Sequence, residues 1–406
     1  AIASLLALPC DSHADDGASG WAPEATEFFG ELELEGTGFF EDPQFVGQDR
    51  DGASFAGKVT YLAEWADGDV TFKFTPFARF DIQDDRRTHA DVRELKFDVI
   101  DGNWSFTIGA DTVFWGKTEV QHLVDVINQT DQVEDLDDED RLGQPMIRVG
   151  YLADIGEFSA FVMPFFRERT FPGVSGRLRS DPPVNTALPL FDTSANEWTP
   201  SFALRYEGVI GDIDLGLSAF HGLGRDPAFF FDPAVGALRP FYERTTQGGI
   251  DVQYTTGATL WKGEGIVRFG QRNARFVEED FVALTGGLEY TFFGIADSNA
   301  DLGLIAEYAW DSRGDDSLSA FQNDIIGGVR LALNDEADTS LLFTSTADVT
   351  DGSVGLRLEA ERRFFDAWKA SIESQAFLNN DRDGFAGSFA DDSFFRVKLT
   401  YFFGDG

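Results

Sequence analysis

The chain has 406 residues, a formal net charge of -39 and a mean hydropathy of -0.20, with 42 glycines, 41 phenylalanines and 14 prolines. So acidic a surface repels nucleic-acid phosphates, and no uncharged apolar run of about 18 residues follows the N-terminus, which excludes helical membrane spans. Abundant strand-forming aromatics in a chain that is hydrophilic on average suit alternating faces better than a continuous apolar interior.

At the start, Ala1-Ile2-Ala3-Ser4-Leu5-Leu6-Ala7-Leu8 is a short apolar run, and Ser12 and Ala14 place small residues at the minus-three and minus-one positions of a cleavage site. This predicts a signal-peptide remnant over 1–14 and one domain over 15–406. Cys10, the sole cysteine, falls in the remnant after a poor lipidation signal. Neither disulfides nor cysteine-ligated metals are therefore expected.

Beyond it the chain alternates with period two. In 70–82, Val70, Phe72, Phe74, Ala78, Phe80 and Ile82 share a face opposite Thr71, Lys73, Thr75, Arg79 and Asp81, and 353–363 behaves alike. Two segments are ambiguous: 158–167 carries Phe on both faces, and in 258–270 Ile266 sits among Lys262, Glu264 and Arg268. About eighteen strands result, or sixteen if the first hairpin lies outside the wall. Short links such as 66–69, 101–103, 154–156 and 256–257 alternate with long ones at 37–52, 83–90, 112–144, 168–198, 224–243, 270–279, 311–321 and 379–391. The prediction is an all-β, antiparallel transmembrane barrel with short periplasmic turns and long extracellular loops. A soluble sandwich or propeller also alternates, but no fixed repeat is present, and a sandwich core rarely uses so many Phe. Trp104, Tyr151, Tyr206, Tyr254, Trp261, Tyr290, Trp310, Trp368 and Tyr401 are expected to point outward near the membrane interfaces.

The longest link stands apart. Val120, Leu123, Val124 and Ile127 are spaced as a helical face, and 131–140 holds seven carboxylates. In the preceding loop His89 lies near Arg86, Arg87 and Asp91, but no nucleophile signature accompanies it and no two His fall at ligand spacing, so neither catalysis nor a histidine metal site is expected. Asn379-Asn380-Asp381-Arg382-Asp383-Gly384 matches half a calcium loop but has Ala390 where the bidentate Glu belongs, and Asp297-Ser298-Asn299-Ala300-Asp301 reads as a turn. No cofactor is expected; a loop-bound calcium ion is left open.

The last strand, Phe395-Arg396-Val397-Lys398-Leu399-Thr400-Tyr401-Phe402-Phe403, has one apolar, aromatic-tipped face and one polar face. It resembles the closing strand of Gram-negative outer-membrane proteins, apart from the extra Gly404-Asp405-Gly406. The segment Phe114-Trp115-Gly116-Lys117 through Asp131, with Leu142-Gly143-Gln144-Pro145, is similar to a stretch shared by uncharacterised proteobacterial barrels, some grouped with porins and some with polymer or lipid exporters. By position, 112–144 resembles the third loop of general porins, which folds into the lumen. That resemblance implies a constriction with Asp125, Asp131, Glu134, Asp135 and Asp137 on one side and Lys73, Arg79, Arg148 and Arg205 on the other; an exposed acidic lid is the simpler alternative.

The expected function is an outer-membrane porin passing small hydrophilic solutes, with an acidic mouth favouring cations, and not an enzyme. Expected partners are outer-membrane lipid, lipopolysaccharide and small solutes, with homo-oligomerisation left open. The alternatives are a transporter or exporter of a hydrophobic compound or polysaccharide, kept open by Phe161, Phe165, Phe220 and Phe402 at inward positions, and a structural or surface-interaction barrel with a blocked lumen.

Overall fold

The computed structural model describes residues 22–379 and 386–405. The expected signal remnant, Cys10 and most of the candidate calcium loop lie outside these residues. β1 (Ala25–Phe39), β2 (Asp51–Trp65), β3 (Val70–Asp81), β4 (His89–Asp101) and β5 (Trp104–Asp111) run up and down before the loop 112–143. β6 (Gln144–Ala153) and β7 (Gly156–Met163) precede a second long loop that carries β8 (Leu190–Phe191). After β9 (Ser201–Ile210) and β10 (Ile213–Leu223) comes a third, carrying β11 (Ala228–Asp232) and β12 (Ala237–Tyr242). β13 (Arg244–Thr256), β14 (Thr259–Arg272), β15 (Glu278–Phe292), β16 (Asp301–Asp311), β17 (Asn323–Ala332), β18 (Ser340–Asp348), β19 (Val354–Phe364), β20 (Trp368–Leu378) and β21 (Phe394–Asp405) complete the chain. All but β8, β11 and β12 form one 18-stranded antiparallel sheet; those three make a small separate sheet at the loop end.

The sheet closes because β1 pairs with β21 from Phe28↔Asp405 to Phe39↔Phe394. The first hairpin belongs to the wall, which makes the count eighteen. Closure leaves no strand edge whose amides and carbonyls would lie bare in lipid, at several kcal/mol each. The unusual tail takes part in it: Gly404 has φ near +95°, and a Cβ there would stand 2.0 Å from the Phe28 carbonyl oxygen, so only glycine extends the closing ladder past the aromatic.

Alternation sorts the wall. On β9 and β10, Phe202, Leu204 and Leu217 point outward and are exposed, whereas Ala203, Arg205 and Phe220 face the lumen and are buried. Both ambiguous segments resolve the same way: Phe158 is outside and Phe161 inside, and Ile266 is an inward residue only 5% exposed. Outward aromatics pair across strands, Trp104 with Tyr151 at 4.6 Å, Phe158 with Tyr206 at 5.0 Å and Trp368 with Tyr401 at 4.9 Å. These sit toward the short-turn end; Trp310 lies near the loop end of β16. Amphipathic rings at both heights are the girdles of a bilayer-spanning wall.

One irregularity matters for the interior. Between β3 and β4, Thr75 pairs with Glu94 but Pro76 pairs with Val92, so Arg93 is a bulge residue. Pro76, which has no N–H to give, sits where the ladder slips. Below the bulge Glu94 and Lys96 face the lumen; above it Arg93, Asp91 and His89 do.

Leu217 lies mid-strand on the lipid face. Leu217→Arg is expected to lower the unfolding free energy in lipid vesicles by about 2–4 kcal/mol, read from urea titrations. An unchanged transition midpoint would mean that this face does not meet hydrocarbon.

Candidate functional site

Loop 112–143 enters the lumen and is held at two opposite stretches of wall. In its first half, backbone amides are taken by wall carboxylates. Glu264 on β14 accepts from the amides of Lys117 at 2.6 Å, Thr118 at 3.1 Å and Val124 at 3.3 Å. Glu307 on β16 accepts from the Glu119 amide at 3.0 Å. The Glu119 side chain in turn meets Arg330 of β17 at 2.6 Å and Lys262 of β14 at 3.3 Å. The helix expected around 120–127 does not form: the Val124 amide, which would donate four residues back, donates to Glu264, and the amides of 117–119 just before it are likewise taken by wall carboxylates.

The apolar residues of that segment still bury themselves. Val124, Val126 and Ile127 join Trp115 and the inward wall residues Met146, Phe161, Phe220, Ile266 and Phe281 in a core inside the barrel. Trp115 meets Phe161 edge-on at 5.6 Å, and the Arg205 guanidinium lies 5.0 Å above the Trp115 ring. A Cβ on Gly249 would come within 3.1 Å of Val124, so glycine makes room for the loop. Each fully buried apolar side chain contributes about 1.5–3 kcal/mol to this docking.

The second half is fastened by charge. Asp131 meets Arg93 of β4 at 2.6 Å, Glu134 meets Arg79 of β3 at 2.8 Å, Asp135 meets Arg396 of β21, and Asp137 meets Arg357 of β19 at 2.7 Å. Burial pushes Asp131 up, but the hydrogen bond from His89 and the charge of Arg93 overrule it and hold this carboxyl at about 2. Burial likewise pushes Asp135 up, and the charges of Arg396 and Arg357 overcome it and hold this carboxyl below its usual range. Asp125 differs. Its side chain is 1% exposed, it pairs with Arg141 of its own loop at 2.8 Å, and burial outweighs that charge and raises it to about 6.

Of the acids and bases expected to oppose one another, only Glu134 and Arg79 touch. Lys73 pairs with Glu94 at 2.6 Å, Arg148 donates to Thr107 at 3.1 Å, and Arg205 pairs with Asp251 at 2.5 Å. The loop acids use Arg93, Arg357 and Arg396 instead. Alternation marks Arg357 and Arg396 as inward, but nothing local says that a distant loop reaches them; Arg93 is hidden by the bulge. Asp138, Glu139 and Asp140, at the loop's tip, are exposed. Among the other inward-phenylalanine candidates, Phe402 lies 5.0 Å from the Arg363 guanidinium and Phe165 packs on Trp198 at 5.0 Å.

No family model and no curated protein matches the sequence. Solved structures do match the fold. Pseudomonas aeruginosa OpdK, solved with vanillate, superposes with a TM-score of 0.54 at 11% identity over 95% of this chain and 100% of its own. The chain has the outer-membrane β-barrel fold. OccAB3 of Acinetobacter baumannii gives 0.53 at 10% identity over 94% of this chain and 99% of its own. Escherichia coli Wzi, described as a carbohydrate-binding barrel involved in capsule assembly, gives 0.52 at 11% over 91% of this chain and 83% of its own.

Arg396→Met would strand Asp135 and Glu373, both buried and both now bonded to that guanidinium. The expected loss is about 3–5 kcal/mol of barrel stability, together with faster proteolysis within 112–143. Asp125 supplies a pH test. Its folded pKa, about 6, lies above the ordinary 3.8, so its neutral form favours docking; that contribution is complete below 3.8 and lost as pH rises through about 6. Protection of the loop from protease should decline between about pH 4 and about pH 6, and Asp125→Asn should flatten the decline. A wild-type profile that does not move would refute the assignment.

Proposed function

We propose that the barrel is an outer-membrane channel for diffusion of small hydrophilic solutes, with loop 112–143 as its constriction and a preference for cations. The observation that carries this reading is the loop's attachment to opposite sides of the inner wall, which narrows the lumen while leaving charged wall groups below it. These include Lys58 with Glu31 at 2.7 Å and the group formed by Lys73, Glu94 and Lys96. Paired, mixed-sign groups hydrate polar solutes without retaining them, which favours diffusion over tight capture. The barrel is read as a channel rather than an enzyme.

The origin of the cation preference shifts with the geometry. Asp131, Glu134, Asp135 and Asp137 each contact a guanidinium, so their fields are largely cancelled at a distance. The loop carboxyls without an ion pair among the described residues are Asp138, Glu139 and Asp140, of which burial and neighbouring acids raise Glu139 and lift Asp140 to about 7, so the tip carries its full charge only above neutral pH. A second reading, a surface-binding barrel with a blocked lumen, is favoured by the apolar core that the loop builds inside the wall.

Planar-bilayer reversal potentials in a salt gradient separate the two. For a channel, D138N, E139Q and D140N together should reduce cation preference, most strongly at low salt, where the Debye length is longest. Unchanged potentials would show the tip to be a solvated lid. A wild-type barrel that passes no current would move the assignment to the surface-binding reading.

A further inference from the structure

Above the β4 bulge, a histidine nitrogen and two carboxylate oxygens converge. His89 Nδ1 lies 3.0 Å from the Arg87 carbonyl oxygen, which can only accept, so the ring proton of a neutral His89 belongs on Nδ1. Nε2 faces Asp131 Oδ2 at 3.2 Å and Glu134 Oε1 at 3.6 Å, donating to Asp131 when the ring is protonated and offering a lone pair when it is neutral. Glu134 is 6% exposed, and its Oε1 has no hydrogen-bond partner, although Oε2 is held by Arg79. The three ligand atoms lie within 4.8 Å of one another. Two carboxylates converging on one imidazole nitrogen in a largely buried space draw a cation there, either the second proton of an imidazolium ring or a metal ion in its place.

We propose that His89, Asp131 and Glu134 bind a first-row divalent transition metal, with zinc as the natural probe, and that the ion clamps loop 112–143 to β4. Zinc–ligand bonds of 2.0–2.1 Å at tetrahedral angles set the ligands ~3.3 Å apart, matching the two separations from Nε2. One imidazole with two carboxylates suits zinc or its neighbours better than calcium, whose sites are built from oxygen. The outer contacts are those of a metal site: a backbone carbonyl on Nδ1, the Thr170 hydroxyl on Asp131 Oδ1 at 2.7 Å, and Arg79 on Glu134 Oε2 at 2.8 Å. Arg93 also donates to Asp131 Oδ2, at 2.6 Å, and leaves that oxygen a second lone pair for the metal. The His89 side chain keeps 18% of its surface exposed, so an ion and a fourth, water ligand have access. The assignment is independent of whether the barrel conducts.

The test uses the whole folded barrel in detergent, stripped with chelator and dialysed against zinc in excess magnesium, which competes away ions held loosely by exposed carboxylates. Wild type should retain one zinc per chain, and zinc-edge X-ray absorption should show an imidazole among nitrogen and oxygen ligands. Thr170→Val, which removes the hydroxyl that donates to Asp131 and accepts from the Val133 amide, should weaken binding about tenfold. His89→Ala should retain none while still migrating as a folded barrel on unheated gels. Zinc absent from wild type, zinc bound without an imidazole, or equal retention by His89→Ala would each overturn the assignment. Should His89→Ala fail to fold, the wild-type stoichiometry and absorption spectrum decide.

Discussion

The backbone's demand for hydrogen bonds governs the whole molecule. In hydrocarbon no solvent can satisfy an amide, so the eighteen strands must pair around a full circle, down to the Gly404–Phe29 step at the seam. The same demand reaches inside. Once loop 112–143 leaves bulk water its amides also need acceptors, and Glu264 and Glu307 supply them. Closure makes a lumen, and the lumen then imposes on the loop a second version of the rule that made the wall.

The charges inside act chiefly on position. Removing two ions from water costs about as much as their mutual attraction returns, so pairs such as Arg396 with Asp135 and Glu373 add little net stability over an apolar filling. They are nonetheless selective, because sliding the loop along the wall would leave buried carboxylates and guanidiniums unpaired. The apolar core around Trp115 supplies attraction without direction, and the ion pairs supply direction.

Much of this was legible in the sequence and the remainder was not, for separable reasons. Strand faces, link lengths and the outward aromatics follow from period two, a local property, and so does the strand count. The inward Phe161 and Ile266 broke the polar expectation for a lumen because their partners, Trp115 and Val124, belong to a loop that local reading cannot dock. Spacing at 120, 123, 124 and 127 reports which residues bury, and an irregular segment pressed on a wall satisfies it as well as a helix. The acids of 131–140 were visible as a run, but their partners lie on β3, β4, β19 and β21, separated by most of the chain.

The bulge at Arg93 divides β4 into two registers of opposite phase. Each additional residue in a strand exchanges its lumen and lipid faces from that point to the next turn, so one inserted residue carries His89, Asp91 and Arg93 inward together while leaving Lys96 where it was. The rim and the lower wall thus form two modules stacked along one strand. Inserting or deleting a single residue at this level would exchange the entire set of rim side chains on the strand at once, with no substitution in either half.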